Sequence, residues 1–175
     1  QVNRGWDLAI RYTTEVKWGE LIFDTQHTFQ IEDALQLRTD SISTDYNGRM
    51  GDPKWTGQAS LQLINNDWSY YWGVQMIGEA SNHERYGGDI ASYRGTPVRV
   101  VLGAPTVMYH NISVSKSFPD QKMVARFGVN NVMGKKPPRL TTMNLGEVST
   151  QGNSAFYSQY NWIGRSVFLN VSKDF

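Results

Sequence analysis

The chain has no cysteine, which excludes disulfide bonds and every thiolate metal site. It has no run of about 18 apolar residues, so no transmembrane helix is expected. That leaves a membrane barrel open, because barrel strands hide their apolar residues by alternation. Hydrophobic content is 39%, low for a domain with a two-sided core. A net charge of +1 gives no electrostatic reason to expect nucleic acid. The opening "QVNRGWDLAI" lacks an initiator Met and the basic and apolar regions of a signal peptide. It reads as the tail of something longer. No GxSxG, HExxH or P-loop is present, so no enzyme is expected.

What the chain does have is aromatic residues, 13% of the total with six Trp and nine Tyr, set in period-two alternation. Trp6, Leu8, Ile10 and Tyr12 alternate with Asp7, Ala9, Arg11 and Thr13. Leu21, Phe23, Phe29 and Ile31 fall opposite Asp24, Gln26, Thr28, Gln30 and Glu32. Leu61 and Leu63 then alternate with Gln58, Ser60 and Gln62, and Trp68, Tyr70, Trp72, Val74 and Met76 with Ser69, Tyr71, Gly73 and Gln75. "MYHNISVSKSF" and "KMVARFGVNNVMG" make a further pair. The last strand sets Val167, Leu169, Val171 and Phe175 against Ser166, Asn170, Ser172 and Asp174, interrupted by Phe168. Such alternation marks half-buried strands.

About seven strands result, joined by breaks that alternate in length. Short breaks fall near Gly19, Asn66 and Asp120, while a polar stretch with Gly, Pro and Asp covers 39–54, a Gly- and Arg-containing stretch with no clean period 81–105, and a loop opened by a Pro pair 135–159. Up-and-down membrane barrels have this rhythm, with tight turns on the periplasmic side and long loops outside. Aromatics near strand ends (Trp6, Trp18, Trp55, Trp68, Tyr70) suit interfacial girdles, and Arg11, Glu15, Asp24, Glu32 and Arg126 suit a wet lumen wall or plug contact. A soluble antiparallel sandwich has short strands and turns too, and stays open on pattern alone.

"FGVNNVMGKKPP" and the terminal "YNWIGRSVFLNVSKDF" resemble the end of TonB-dependent outer-membrane receptors. Gly128, Val129, Asn130, Asn131, Lys136, Pro137 and Pro138 match the family's penultimate strand. Tyr160, Gly164, Arg165, Val171 and Phe175 match its last, and Gly51–Trp55 ("GDPKW") is similar to its late barrel. Met133 and Asn170 depart from it. The resemblance spans residues 1–175 and implies the last seven or so strands of a plugged barrel of about 22. The plug domain and remaining strands, on this expectation, belong to another segment or chain. It also implies active uptake of a scarce solute such as a ferric siderophore, powered by the TonB complex through that missing N-terminal part. Further expectations are a Gram-negative outer-membrane location in contact with lipid and lipopolysaccharide, a periplasmic C-terminus, and Leu169, Val171 and Phe175 as a signal to the barrel-assembly machinery. A passive pore and a soluble β-rich binding module are the alternatives.

Ligand recognition in such a receptor is expected on the outer loops, at Tyr46, Arg49, His83, Arg85, Tyr86, Tyr93, Arg94, Arg139 and Asn144, where Arg and Tyr suit an anionic or aromatic small molecule. No cofactor, metal or catalytic residue is expected. His27, His83 and His110 are scattered and read as surface or lumen residues. Asp45, Asn47 and Asp52 lack the bidentate Glu of a calcium loop and read as an Asn-Gly turn. The sequons at Asn111 and Asn170 fall on strands and carry no message in a bacterial context.

Overall fold

The computed structural model describes residues 1–86, 90–141 and 149–174. The chain is all-β, dominated by one antiparallel sheet in which seven long strands follow one another in chain order. They are β1 (Val2–Val16), β2 (Gly19–Leu35), β3 (Trp55–Asn65), β4 (Trp68–Ile77), β5 (Val107–Phe118), β6 (Met123–Asn130) and β7 (Ser166–Lys173). Each pairs with its sequence neighbours, and β1 and β7 do not pair with each other. The sheet is therefore open.

Tight turns close one end. The β1–β2 connection is Lys17 and Trp18, followed by Gly19 at φ +126°, where a Cβ would collide with the backbone of Ile64. Asn66 and Asp67 join β3 to β4, with Asn66 in the left-handed region that such two-residue hairpins require. Pro119–Gln121 form a 3₁₀ turn between β5 and β6, closed by the Lys122 N–H donating to the Pro119 carbonyl. The long connections, 36–54, 78–106 and 131–165, all lie at the other end.

Register sorts the side chains into two faces, since residues directly opposite on neighbouring strands point the same way. One row runs Tyr12, Phe23, Leu61, Trp72, Ile112, Val129 and Val167 across all seven strands. The next runs Thr14, Leu21, Leu63, Tyr70, Val114, Phe127 and Leu169. The opposite face carries Arg11, Asp24, Ser60, Gly73 and Asn111 in one row, and Glu15, Glu20, Ile64, Ser69, Ser115, Arg126 and Asn170 in another. Phe168, the aromatic that interrupts the last strand's polar side, faces Gly128, and its ring fills the space a Cβ would take.

The buried core lies away from the middle of this sheet. Met50, Ile77, Ala80, Ala104, Val107, Tyr109, Leu140, Ala155 and Tyr160 cluster at the long-connection end. The polar face turns apolar there, where Ile77 stands opposite Val107, and all three long connections fold onto it. Hydrogen bonds knit them: Ser81 N–H to the Gly48 carbonyl (2.9 Å), Met50 N–H to Asn82 Oδ1 (3.0 Å) and Thr141 N–H to the Val101 carbonyl (2.8 Å).

Two expectations need correction. The sixth strand stops at Asn130 instead of running through "NNVMG", because Asn131 turns left-handed at φ +49°. The 81–105 stretch is more than irregular loop: it holds a helical turn (His83–Tyr86), a hairpin (Ile90–Tyr93 with Thr96–Arg99) and the pair Ala80–Ser81 with Gly103–Ala104. Local propensity hid these elements, each too short to show a period. His27 and His110 share the apolar face with Leu8, Met76 and Val74.

Candidate functional site

Three regions are candidates: the apolar face, the polar face and the cap of long connections. On the apolar face, large side chains stay open, with Tyr12 60%, Val167 63% and Leu169 71% exposed. Two aromatic clusters bound this face. At the cap end Trp6, Phe29 and Trp55 stand opposite one another on β1, β2 and β3 and stack at centroid distances of 4.3 and 6.4 Å. Across the turn end lie Trp18, Trp68 and Phe118, with Trp68 stacked on Tyr70 at 6.3 Å.

The polar face holds a cleft of about 770 Å³ reaching from β1 to β5, lined among others by Asp24, Gln26, Gln58, Ser60, Tyr71, Gln75 and Asn111. Gln26, Gln58 and Gln75 stand in one row, and Gln58 Nε2 donates to Gln26 Oε1 at 2.8 Å. Tyr71 leans over Gly73 of its own strand. Gln159 of the last connection also lines the cleft and donates to the Gly51 carbonyl at 3.3 Å, which ties the cap to it. Such a cleft offers amide and hydroxyl donors and acceptors, with the Asp24 carboxylate at one side. Alternation foretold the polarity of these residues, and nothing in the linear pattern singled out the amide row.

Among the described residues, those expected to recognise a ligand do not converge on one pocket. Tyr46 and Arg49 form one pair, the guanidinium 4.8 Å from the ring centroid. Tyr93 and Arg94 form another at the hairpin tip, 5.4 Å apart, with Arg94 at φ +51°. His83 opens the helical turn that Arg85 and Tyr86 complete, the side chains of the latter two lying outside the described residues. Arg139 bridges Ser154 beside the Pro pair. Asn144 and Phe175 lie outside the described residues, while Leu169 and Val171 sit on the apolar face of β7.

The acidic turn is a backbone device. The Asp45 carboxylate accepts the N–H groups of Asn47 (3.0 Å) and Asp33 (3.1 Å), which hold it below the ordinary carboxylate range. Burial, and then the charge of Asp33, push Asp52 the other way. Asn131, fully buried, does equivalent work after β6. Its N–H donates to Asn111 Oδ1 (2.9 Å), its Nδ2 to the Lys135 carbonyl (2.8 Å), and its Oδ1 accepts the Lys135 N–H (2.8 Å). The second Asn of "GVNN" thus ends a strand and starts the return toward the cap. Arg4 and Glu32 form an ion pair at 3.2 Å that is open to solvent and adds little. Among the described residues no three His, Asp or Glu side chains gather as metal ligands, and no helix is long and apolar enough to cross a membrane. Comparison with protein-family models, curated proteins and solved structures gives no match to this chain.

Proposed function

We propose that the chain forms part of the barrel wall and the extracellular loops of a TonB-dependent outer-membrane transporter. The observation that carries the membrane reading is the pair of rows crossing all seven strands, apolar on one face and polar on the other, with no second sheet packed on the apolar side among the described residues. A soluble sandwich buries such rows against a facing sheet about 10 Å away. Here Leu169 and Val167 stay more than half exposed. The spacing of the aromatic clusters agrees with a bilayer. From Trp55 to Asn65, which stands opposite Trp68, is ten steps (65 − 55). At about 3.3 Å per residue that is roughly 33 Å, or about 25 Å of height for a strand tilted by about 40°, the apolar band of outer-membrane barrels.

The transporter reading rests on the resemblance of the last two strands, and on tight turns at one end with long connections at the other. In it the turn end is periplasmic and the cap faces outward. Both edge strands carry backbone groups that hydrocarbon leaves unpaired at a cost of several kcal/mol each. They therefore pair with further strands, about 15 if the barrel has 22, around a plug that receives energy from the TonB complex. The chain itself makes and breaks no bonds. Its solute meets the cap residues and then the amide-lined polar face. A passive pore has the same wall without the plug.

The test is membrane fractionation with cross-linking. A photo-activatable cross-linking residue placed singly on β1 and on β7 should join polypeptide outside residues 1–175, in outer-membrane fractions only. Recovery as a detergent-free monomer would overturn the reading.

A further inference from the structure

Between the Trp6–Phe29–Trp55 cluster and the tight turns, the apolar face of the seven strands carries no Asp or Glu. It carries two lysines, Lys116 and Lys173, and both lie in the last rows before the turns. Lys116 stands opposite Trp68 on one side and Ala125 on the other; Ala125 faces Val171, and Lys173 lies two residues beyond on the same face. The Lys116 ammonium sits 4.9 Å from the Trp68 ring centroid and 5.0 Å from that of Phe118. Ring faces hold an ammonium electrostatically without neutralising it, so its N–H groups keep their donor capacity. A lysine on a lipid-facing wall runs its stem along apolar surface and sets its charge at the headgroup level.

We infer that this corner of the turn-end rim, Lys116 and Lys173 with Trp68 and Phe118, is a binding site for the headgroup of an anionic phospholipid. Two strand spacings and one two-residue step separate the lysine Cα atoms by roughly 12 Å, a gap that two long side chains close around one phosphodiester. Among the described residues of this face no Asp or Glu stands beside the two lysines to repel a net negative lipid. The aromatic rings seat the upper acyl chain and glycerol region beside the charge. The inference rests on the transporter reading, which places this rim at the inner surface of the outer membrane.

The experiment uses the complete assembled barrel exchanged into nanodiscs containing equal phosphatidylglycerol and phosphatidylcholine, released from them and weighed by native mass spectrometry. Both lipids carry the phosphodiester, and only the first carries net charge. The expected result is preferential retention of phosphatidylglycerol, reduced about thirtyfold in the Lys116→Gln/Lys173→Gln variant, the combined effect of two basic residues beside an anionic surface. Lys116→Arg should keep the preference. Equal retention of the two lipids by the unaltered protein would overturn the inference and leave the membrane reading standing, and this arm needs no variant to fold. An unchanged preference in the double variant would overturn it as well. Retention of no lipid at all would count against both.

Discussion

The indole N–H of Trp55 donates to Nδ1 of His27 at 3.1 Å while the two rings stack at a centroid distance of 5.7 Å. An indole has no acceptor, so Nδ1 must be unprotonated. The ring proton is then on Nε2, which lies 2.9 Å from Thr25 Oγ1, and the Thr25 hydroxyl donates onward to the Gln58 carbonyl at 3.0 Å. Every polar group along this line is satisfied, which is how a histidine rests on an apolar face.

From that geometry, nitrogen NMR at neutral pH should find His27 as the Nε2–H tautomer. Gly57→Ala should destroy the arrangement, because a Cβ there would overlap the imidazole. Trp55→Phe keeps a ring but removes the donor, for a loss of about 1 kcal/mol. The opposite tautomer in the unaltered protein would refute the assignment.

Adjacent positions on β7 should respond oppositely to charge. Leu169 stands on the apolar face opposite Phe127, and Asn170 on the polar face opposite Arg126. Leu169→Arg is expected to cost about 2–4 kcal/mol at mid-bilayer and to reduce assembled barrel. Asn170→Arg should assemble better, limited only by repulsion from Arg126. Heat-modifiable gel mobility reads both, and equal behaviour would argue against a lipid-facing wall.

Asn131 should be among the least replaceable residues of the final connection. Asn131→Ala strands the N–H and carbonyl of Lys135 and loses a side chain that tolerates φ +49°. The expected cost is about 2 kcal/mol or more. Asn131→Asp should cost more, since a carboxylate oxygen replaces the donor facing the Lys135 carbonyl. Hydrogen exchange across 131–140 measures this. Wild-type protection in either variant would sink the claim.

Alkali should loosen the cap through Tyr160. Burial, with smaller contributions from Tyr109 and Tyr157, pushes its phenol from 10.0 up to about 12. The folded state therefore holds a proton that the unfolded chain releases above about pH 10. Stability is intact below that pH and falls as pH rises toward 12, by about 2–3 kcal/mol in total. The Tyr160 hydroxyl is buried with no hydrogen-bond partner among the described residues. Tyr160→Phe should thus leave neutral-pH stability unchanged or slightly higher, and flatten the alkaline decline. Denaturant melts of both proteins across the window give the difference, and parallel curves would rule the mechanism out.

Alternation alone determined the number of strands, which residues share a face and which end bears the tight turns. These follow from local sterics and from a side-chain period of two, both written in neighbouring residues. Phe168 looked like an exception because its partner, Gly128, is 40 positions away (168 − 128). The same limit hid the cap. Met50, Leu140 and Tyr160 come from connections with no period of their own, Ile77 and Tyr109 from the cap ends of β4 and β5, and only the sheet's register brings them within reach. It also hid the Gln26–Gln58–Gln75 row, the seating of His27 on Trp55, and the placement of Lys116 between Trp68 and Phe118. Pairing across strands is a long-range choice, made by which rows bury or satisfy one another, and tertiary structure decided it.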